Sequence, residues 1–414
     1  AKQQVRVLPL HGSLPPQQQR KAFDRPPDGV RKIVVSTNVA ETSVTIADVV
    51  HVIDAGLAKV NSWNAATRMV TFRDERICAA SAEQRRGRAG RVQEGHCYRM
   101  WPAKERLVPQ AAPEIQRAPL EGLVLDACLL GASNPASFIA DVLTPPKPSA
   151  VSQAVENLVS LQAIDNGEER SSLKLTPLGV HLGRLPVDPR LGKMLLLASL
   201  LECLSPILSV AAALSASARV FNAPRDKQEE ASNAQREAYG SAKSDPLALA
   251  AAYDGWVAAR EAGGNKAERA YCDAHYLNTK GLREIENGRR ELLQHLQAAG
   301  FVEAPASVAS ASAHAQNVPL LRGIICAAFY PNLASATRTT AQGSRQQYEK
   351  LTLAGGDVQA WAHPSSINAR PSKAESGLYV YTEKVDSSRL FLRETTRVPA
   401  TAVLLFGAKP IELD

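Results

Sequence analysis

A chain of 414 residues is long enough for two to four domains of about 100–200 residues each, and an apolar content of 45% supplies sizeable cores. No run reaches the roughly 18 apolar residues that a membrane-spanning helix needs, so no span is expected. The net charge of +7 is uneven: residues 1–110 hold 18 Lys/Arg against 10 Asp/Glu, and residues 111–414 hold 30 against 31. The whole excess lies in the first quarter, which suits a polyanion footprint or a merely solvated basic surface.

The six cysteines, at 78, 97, 128, 203, 272 and 326, form no CxxC pair, and the eight histidines are dispersed. No metal site is expected. A reducing compartment, cytoplasm or nucleus, is the expected setting, with an organelle left open. Ala1-Lys2-Gln3 is neither a signal nor a transit peptide. With no initiator Met and a β-like segment starting at once, the chain reads as a piece of a longer protein.

Residues 5–8 open the chain as a short apolar strand. Ser13 is placed to cap a helix that starts at Pro15-Pro16 and runs over 17–23. Residues 33–35 and 49–53 are β-branched runs bounded by polar loops. Strand, helix, strand, loop, strand is the pattern of a parallel α/β sheet, in which ligands sit at the strand C-termini. Those ends carry Ser36-Thr37-Asn38 and Asp54-Ala55-Gly56. Residues 59–77 alternate as a hairpin, and Ser81 is expected to open a helix through an arginine cluster.

Beyond Pro119 the texture changes. Residues 119–130 are helical by the spacing of Leu120, Leu123, Val124 and Ala127, with Gly131 as C-cap. Residues 149–163 form a second helix, and 171–176 a strand, the makings of a winged helix. Residues 188–300 are almost entirely helical. The most apolar stretch, 194–214, is broken by Glu202 and Ser205-Pro206 and reads as two buried helices. Residues 303–317 are Ala/Ser-rich and read as a linker. Short strands are expected after it at 323–329, 348–353, 377–382, 389–393 and 402–406, the signature of a small β-barrel.

Gln84-Arg85-Arg86-Gly87-Arg88-Ala89-Gly90-Arg91 is the strongest local signal. Arg88 and Arg91 share one face if the segment is helical. Two guanidinium forks suit a triphosphate, where an arginine neutralises charge building on a transferring phosphoryl group. Gln84, one turn earlier, suits orientation of a water. A solvated face or a localisation signal is the plain alternative, and Ser81-x-x-Gln84 also fits a capping box. The second signal is the hydroxyl-rich loop at 36–46, whose side chains suit phosphate-backbone contacts that carry no sequence information.

STNVAETSVTI (36–46) followed by QRRGRAGR (84–91) resembles motifs V and VI of the DEAH/RHA family of superfamily 2 helicases. PLHGSLPPQQQ (9–19) resembles that family's motif IV region. PLEGLVLDACLLG (119–131) and LTPLGVHLGRLPVDPRLGKMLL (175–196) resemble its winged-helix and ratchet segments. RGIICAAFYPNLA (322–334), HPSSIN (363–368) and LFLRETTRVPATAVLLFGA (390–408) resemble its C-terminal OB-fold and lean towards the RNA helicase A-like branch.

The resemblance implies a multidomain chain. An α/β RecA-like domain at 1–110, lacking its opening strand, precedes a winged helix at 111–186. An all-α ratchet-like bundle at 187–302, a linker at 303–317 and an OB-fold β-barrel at 318–414 complete it. It implies ATP with Mg²⁺ as cofactor and single-stranded RNA as partner. Gln84, Arg88 and Arg91 would face the γ-phosphate, and Phe23 would stack on the adenine. Ser13, Thr37, Asn38 and Thr42 would hold the RNA backbone. The 59–77 hairpin would help part strands, and Arg322 would place basic density near the RNA exit. The sequence contains neither a GxxxxGKT loop nor a DEAH box; its one Gly-Lys pair, Gly192-Lys193, falls in a Leu-rich helix. The Mg²⁺ ligands would therefore lie in a first RecA-like domain, and residues 1–414 alone are expected to hydrolyse ATP negligibly. A non-catalytic RNA-binding adaptor built from helicase parts, and DNA in place of RNA, remain the alternatives.

Overall fold

The computed structural model describes residues 4–11, 14, 16–42, 46–64, 69–166, 173–224, 226–303, 308, 311–336, 350–356, 358–369, 377–387 and 389–406. The chain divides into two compact units, Ala1–Ser62 with Thr71–Arg117 and Trp63–Val70 with Ala118–Asp414.

The first unit is built from β1 (Gln4–Leu10), α1 (Pro16–Arg20), β2 (Val30–Ser36), α2 (Val39–Thr42), β3 (His51–Asp54), the hairpin strands β4 (Leu57–Asn64) and β5 (Met69–Arg76), α3 (Ala79–Arg86) and β6 (His96–Arg99). β1 and β2 pair in parallel from Gln4↔Val30 to Leu10↔Ser36, and β3 and β6 pair in parallel from His51↔His96 to Asp54↔Arg99. The α/β reading thus holds, and the strand ends carry the polar loops expected of them. Helix α1 is shorter than the expected 17–23. It ends at Arg20, and Phe23 closes a following turn through its N–H to the Arg20 carbonyl at 2.9 Å.

The second unit begins with α4 (Glu121–Leu129), α5 (Pro135–Ala140) and α6 (Pro148–Ser160). Strands β7 (Ile164–Asn166) and β8 (Leu173–Leu175) pair antiparallel, and α7 (Pro177–Arg184) follows. Thr176 caps α7 by accepting from Gly179 N at 3.0 Å while donating to the Gln162 carbonyl at 2.7 Å. Gly179 is obligatory: a Cβ there would run into the Ala163 carbonyl.

Helices α8 (Pro189–Leu200), α9 (Leu204–Ser215), α10 (Gln228–Tyr239), α11 (Asp245–Ala274) and α12 (Thr279–Ala298) form the bundle. α8 and α9 are the two buried helices expected at 194–214. They are separated by Glu202, at φ 51°. α11 is two helices broken at Gly263 and Gly264, the latter at φ 60° and ψ −153°, a conformation essentially reserved for glycine. Trp256 is fully buried, its Nε1 donating to Glu268 at 3.2 Å and its ring 4.3 Å from the Arg260 guanidinium carbon. Lys193 of the Gly-Lys pair is buried, its ammonium donating to the Leu161 carbonyl at 3.1 Å, where it caps the end of α6. Burial lowers its pKa.

The last region holds α13 (Val318–Phe329), β9 (Leu333–Ala336), β10 (Lys350–Leu353), β11 (Gln359–Ala362), β12 (Gly377–Val380), β13 (Glu383–Asp386), β14 (Leu390–Arg393), β15 (Thr396–Val398) and α14 (Ala400–Phe406). Its strands lie in the order β15-β12-β9-β10-β11-β14-β13 around Ala334, Leu351, Ala360, Tyr379 and Leu392.

Two expected strands are helices. Residues 323–329 belong to α13, which Asn317 caps by accepting from Leu320 N at 3.2 Å; the helix is buried from Gly323 to Phe329. A short apolar run buried all round has no periodicity to separate helix from strand. Residues 402–406 belong to α14, which lies against α13, with Phe406 beside Gly323. The segment read as a linker is anchored over 311–317: the Ala311 carbonyl accepts from Leu204 N at 2.9 Å, and Ser312 Oγ from Ser205 N at 2.9 Å. Arg322 forks the Ala242 carbonyl at 2.8 and 2.5 Å. Its guanidinium thus makes an internal contact.

Candidate nucleotide and nucleic-acid site

All candidate residues fall in the first unit. Helix α3 starts two residues before Ser81. Its N-cap is Cys78, whose Sγ accepts from Ser81 N at 3.4 Å, so the Ser81–Gln84 capping box does not form. The helix also stops earlier than expected, at Arg86, with Gly87 N on the Glu83 carbonyl at 2.9 Å. Arg88 N then bonds the Arg85 carbonyl, and Ala89 N the Arg86 carbonyl, both at 3.1 Å. Arg88 and Arg91 are therefore presented by a turn and bend, not by one helix face. Two glycines in four residues weaken helix propagation enough for the chain to leave it. Gly95 lets the chain return, because a Cβ there would collide with the Ala89 and Val50 carbonyls.

The arginines of the cluster divide by task. Arg86 makes an exposed pair with Glu83, of the kind worth about 0–1 kcal/mol. Arg85 is largely buried. Its Nε donates to Glu41 at 2.9 Å, and its Nη1 donates to Asp54 at 2.9 Å and to the Leu57 carbonyl at 3.1 Å. Burial alone would lower the Arg85 pKa, but the bonds to Asp54 and Glu41 prevail and raise it. Asp54 also accepts from Gly56 N at 2.9 Å. Its Oδ2 is buried with no hydrogen-bond partner among the described residues.

Arg88 behaves oppositely. Its pKa is lowered, first by burial and then by the like charge of Arg91, against a smaller pull from Glu41. Two guanidinium groups that repel each other inside one turn make a site where an added anion relieves the repulsion. Gln84, on the last turn of α3, and Arg91 are exposed.

At the end of β2, Ser36 Oγ lies 3.1 Å from the Leu10 carbonyl and 2.8 Å from the Thr37 carbonyl, either of which can take its one proton. Thr37 and Asn38 are exposed, and their carbonyls start α2 by accepting from Ala40 N at 3.4 Å and Glu41 N at 2.9 Å. Thr42 is the last residue of α2. Phe23 is 39% exposed in the turn after α1. Ser13 lies outside the described residues. The structure thus links the Thr37-Asn38 turn to the arginine turn through Glu41 and Arg85. It shows no bond or ring contact of Phe23 with either among the described residues. Glu41, Asp54 and the internal role of Arg85 were not anticipated, although all three residues lie in segments singled out by sequence.

A parallel α/β unit with an arginine turn beside a hydroxyl loop, followed by a winged helix, a helical bundle and a curled sheet, has the order of domains seen in the C-terminal part of superfamily 2 helicases. Family comparisons agree along the chain. The helicase conserved C-terminal domain matches residues 1–93, and the winged-helix part of the helicase associated domain matches 154–187. The ratchet-like part of the helicase associated domain matches 188–255, and an oligonucleotide/oligosaccharide-binding fold matches 321–411. In this order along the chain, the matches are to the C-terminal domains of helicases.

It is 40% identical over 407 residues to the DExH-box ATP-dependent RNA helicase DExH1 of Arabidopsis thaliana, covering 98% of this chain and 39% of that protein. It is 37% identical over 405 residues to the human ATP-dependent DNA/RNA helicase DHX36, covering 97% and 39%. With human ATP-dependent RNA helicase DHX29 the identity is 37% over 415 residues, covering 98% and 30%. The chain therefore spans well under half the length of these relatives.

Proposed function

We propose that this chain is the C-terminal half of an ATP-dependent RNA helicase and supplies the arginine side of its ATP site. The observation that carries this reading is the arginine turn itself, where Arg88 and Arg91 crowd like charge beside the buried Arg85–Glu41–Asp54 tie. Two guanidinium forks close together on one turn suit a triphosphate. Arg88 and Arg91 would stabilise charge on the γ-phosphoryl group, and Gln84 would orient the attacking water. Mg²⁺ would be held by a first RecA-like domain and would neutralise phosphate charge there. Phe23 would stack on the adenine. Thr37 and Asn38, with Ser13 and Thr42, would hold a single RNA strand by its backbone, so sequence preference would be modest. The domain divisions at 110, 186, 302 and 317 follow the same reading, as does a reducing location in cytoplasm or nucleus.

Single-turnover hydrolysis with and without RNA tests it. The full-length protein should show RNA-stimulated turnover and residues 1–414 negligible turnover; stimulated hydrolysis by residues 1–414 alone would overturn the assignment. Because one group of relatives is named for both DNA and RNA, matched RNA and DNA strands should be compared at one stated salt concentration.

A further inference from the structure

The helical bundle and the curled sheet meet around a buried carboxylate. Asp245 opens α11, and both of its oxygens accept from the last region of the chain. Oδ1 takes bonds from Ser366 Oγ and Ile367 N, each at 2.9 Å, and Oδ2 from Thr395 N at 2.8 Å and Thr395 Oγ1 at 3.1 Å. One backbone N–H, which can only donate, stands on each oxygen, so Asp245 is held as the carboxylate. Burial raises its pKa, and the bonds from Ser366, Ile367 and Thr395 pull it back. Further bonds close the joint. Asp245 N donates to the Thr395 carbonyl at 2.9 Å, Asn368 Nδ2 donates to the Lys243 carbonyl at 3.3 Å, and Ser244 Oγ lies 2.8 Å from Thr396 Oγ1. Three segments, 243–245, 366–368 and 395–396, are thereby tied together.

Glu394 sets a second carboxyl beside the first. It directly precedes Thr395, half-buried, in a left-handed turn at φ 49° that residues other than glycine seldom adopt. Burial raises its pKa, with Asp245 of α11 and Glu383 of β13 adding to the rise. Arg393 of β14 and Arg219, from the segment after α9, oppose it. His363 faces the same two arginines, and its pKa is lowered to about 4, first by burial, so it adds no charge at neutral pH. Neighbouring carboxyl groups shielded from water do not both ionise without a large cost. With Asp245 fixed as the charged partner by its four donors, Glu394 is the neutral one.

We propose that Glu394 is a proton-operated release for this joint: neutral, it lets the three segments close on Asp245, and ionised, it repels the Asp245 carboxylate and loosens the 366–368 and 394–396 turns from α11. The release is independent of the nucleotide reading above. Its sign follows from the raised Glu394 pKa. The closed joint holds the proton more tightly than the open one, so closure is strongest at low pH and weakens as pH rises through about 8.

The test is amide hydrogen exchange of the full-length protein from about pH 6 to 9, corrected for the intrinsic pH dependence of exchange. Protection at 366–368 and 395–396 should fall at least about tenfold between pH 6 and 8 and level off above that, while Ala334 and Leu351 in the sheet core keep theirs. Glu394→Gln, which mimics the neutral acid, should abolish the fall. Glu394→Gly removes the carboxyl and suits the left-handed turn, and it should do the same; it decides the matter if the Gln variant does not fold. A fall that persists in the folded variants, a parent with no fall, or an equal fall at Ala334 and Leu351 overturns the proposal.

Discussion

The two units of this chain are stabilised by different means. In the first, the strands expose much of their β-branched content: Val7 is 59% exposed, Val35 61% and Ile53 74%. Its shielded interactions include a polar tie of Arg85, Glu41 and Asp54. In the second, Trp256, Leu195, Ile207 and Ile324 are completely buried. Polar groups there are also built in, as where Asp245 accepts from Ser366 Oγ, Ile367 N and Thr395 N at 2.9, 2.9 and 2.8 Å. Directional bonds hold short segments in place with little apolar area behind them, which suits a site whose parts must shift. Apolar burial is non-directional and adds up to a rigid mass.

The contrast predicts that substitutions in the first unit act on turnover and substitutions in the second on stability. The largest effect should come from Arg88→Ala or Arg91→Ala in the full-length protein. Hydrolysis should fall about 10³-fold or more, with little change in melting temperature or RNA affinity. Equal loss of RNA binding would return the cluster to a plain basic surface. Trp256→Ala should remove about 4 kcal/mol of stability, measured by denaturant unfolding, through lost burial and an unpartnered Glu268.

A pH series sharpens the contrast. Glu394, half-buried beside Asp245 and at φ 49°, has its pKa raised to about 8 by burial, with the Asp245 charge adding to it and Arg393 opposing. The folded state therefore holds this proton more tightly than the unfolded chain. Its contribution is complete below the ordinary glutamate pKa and is lost as pH rises through about 8. Glu394→Gln should melt close to the parent at low pH and above it in mildly alkaline buffer. His363 acts at the other limb. Its pKa is lowered to about 4, by burial and then by Arg393 and Arg219, so stability should fall as pH drops below the ordinary histidine range. The smallest effect is expected for Ile53→Thr, a change of at most about 0.5 kcal/mol in this chain. A larger loss would mean that the exposed strand face carries weight after all.

Legibility in the sequence followed the same division. The bundle was readable because helical spacing acts within a few residues. The parallel strands and their polar ends were readable for the same reason. Of the two C-terminal helices read as strands, α13 was not, because burial on all sides erases the periodicity that separates the two states, and α14, with Leu404 and Leu405 exposed, is too short an apolar run to separate them by pattern. At the site, Gln84, Arg88 and Arg91 were legible as a cluster, but the helix thought to carry them ends at Arg86.

The amino-acid order by itself determined which residue types stand together: four arginines spaced by glycines, and a hydroxyl loop some forty residues before them. These are local facts, set by composition and spacing. Only the tertiary structure decided which arginine does which task. Glu41, Asp54 and Arg85 are brought together from three separate elements, and the low-dielectric setting that makes them a tie exists only once those elements are packed. That packing leaves Arg88 and Arg91 on the turn beyond it, facing each other's charge.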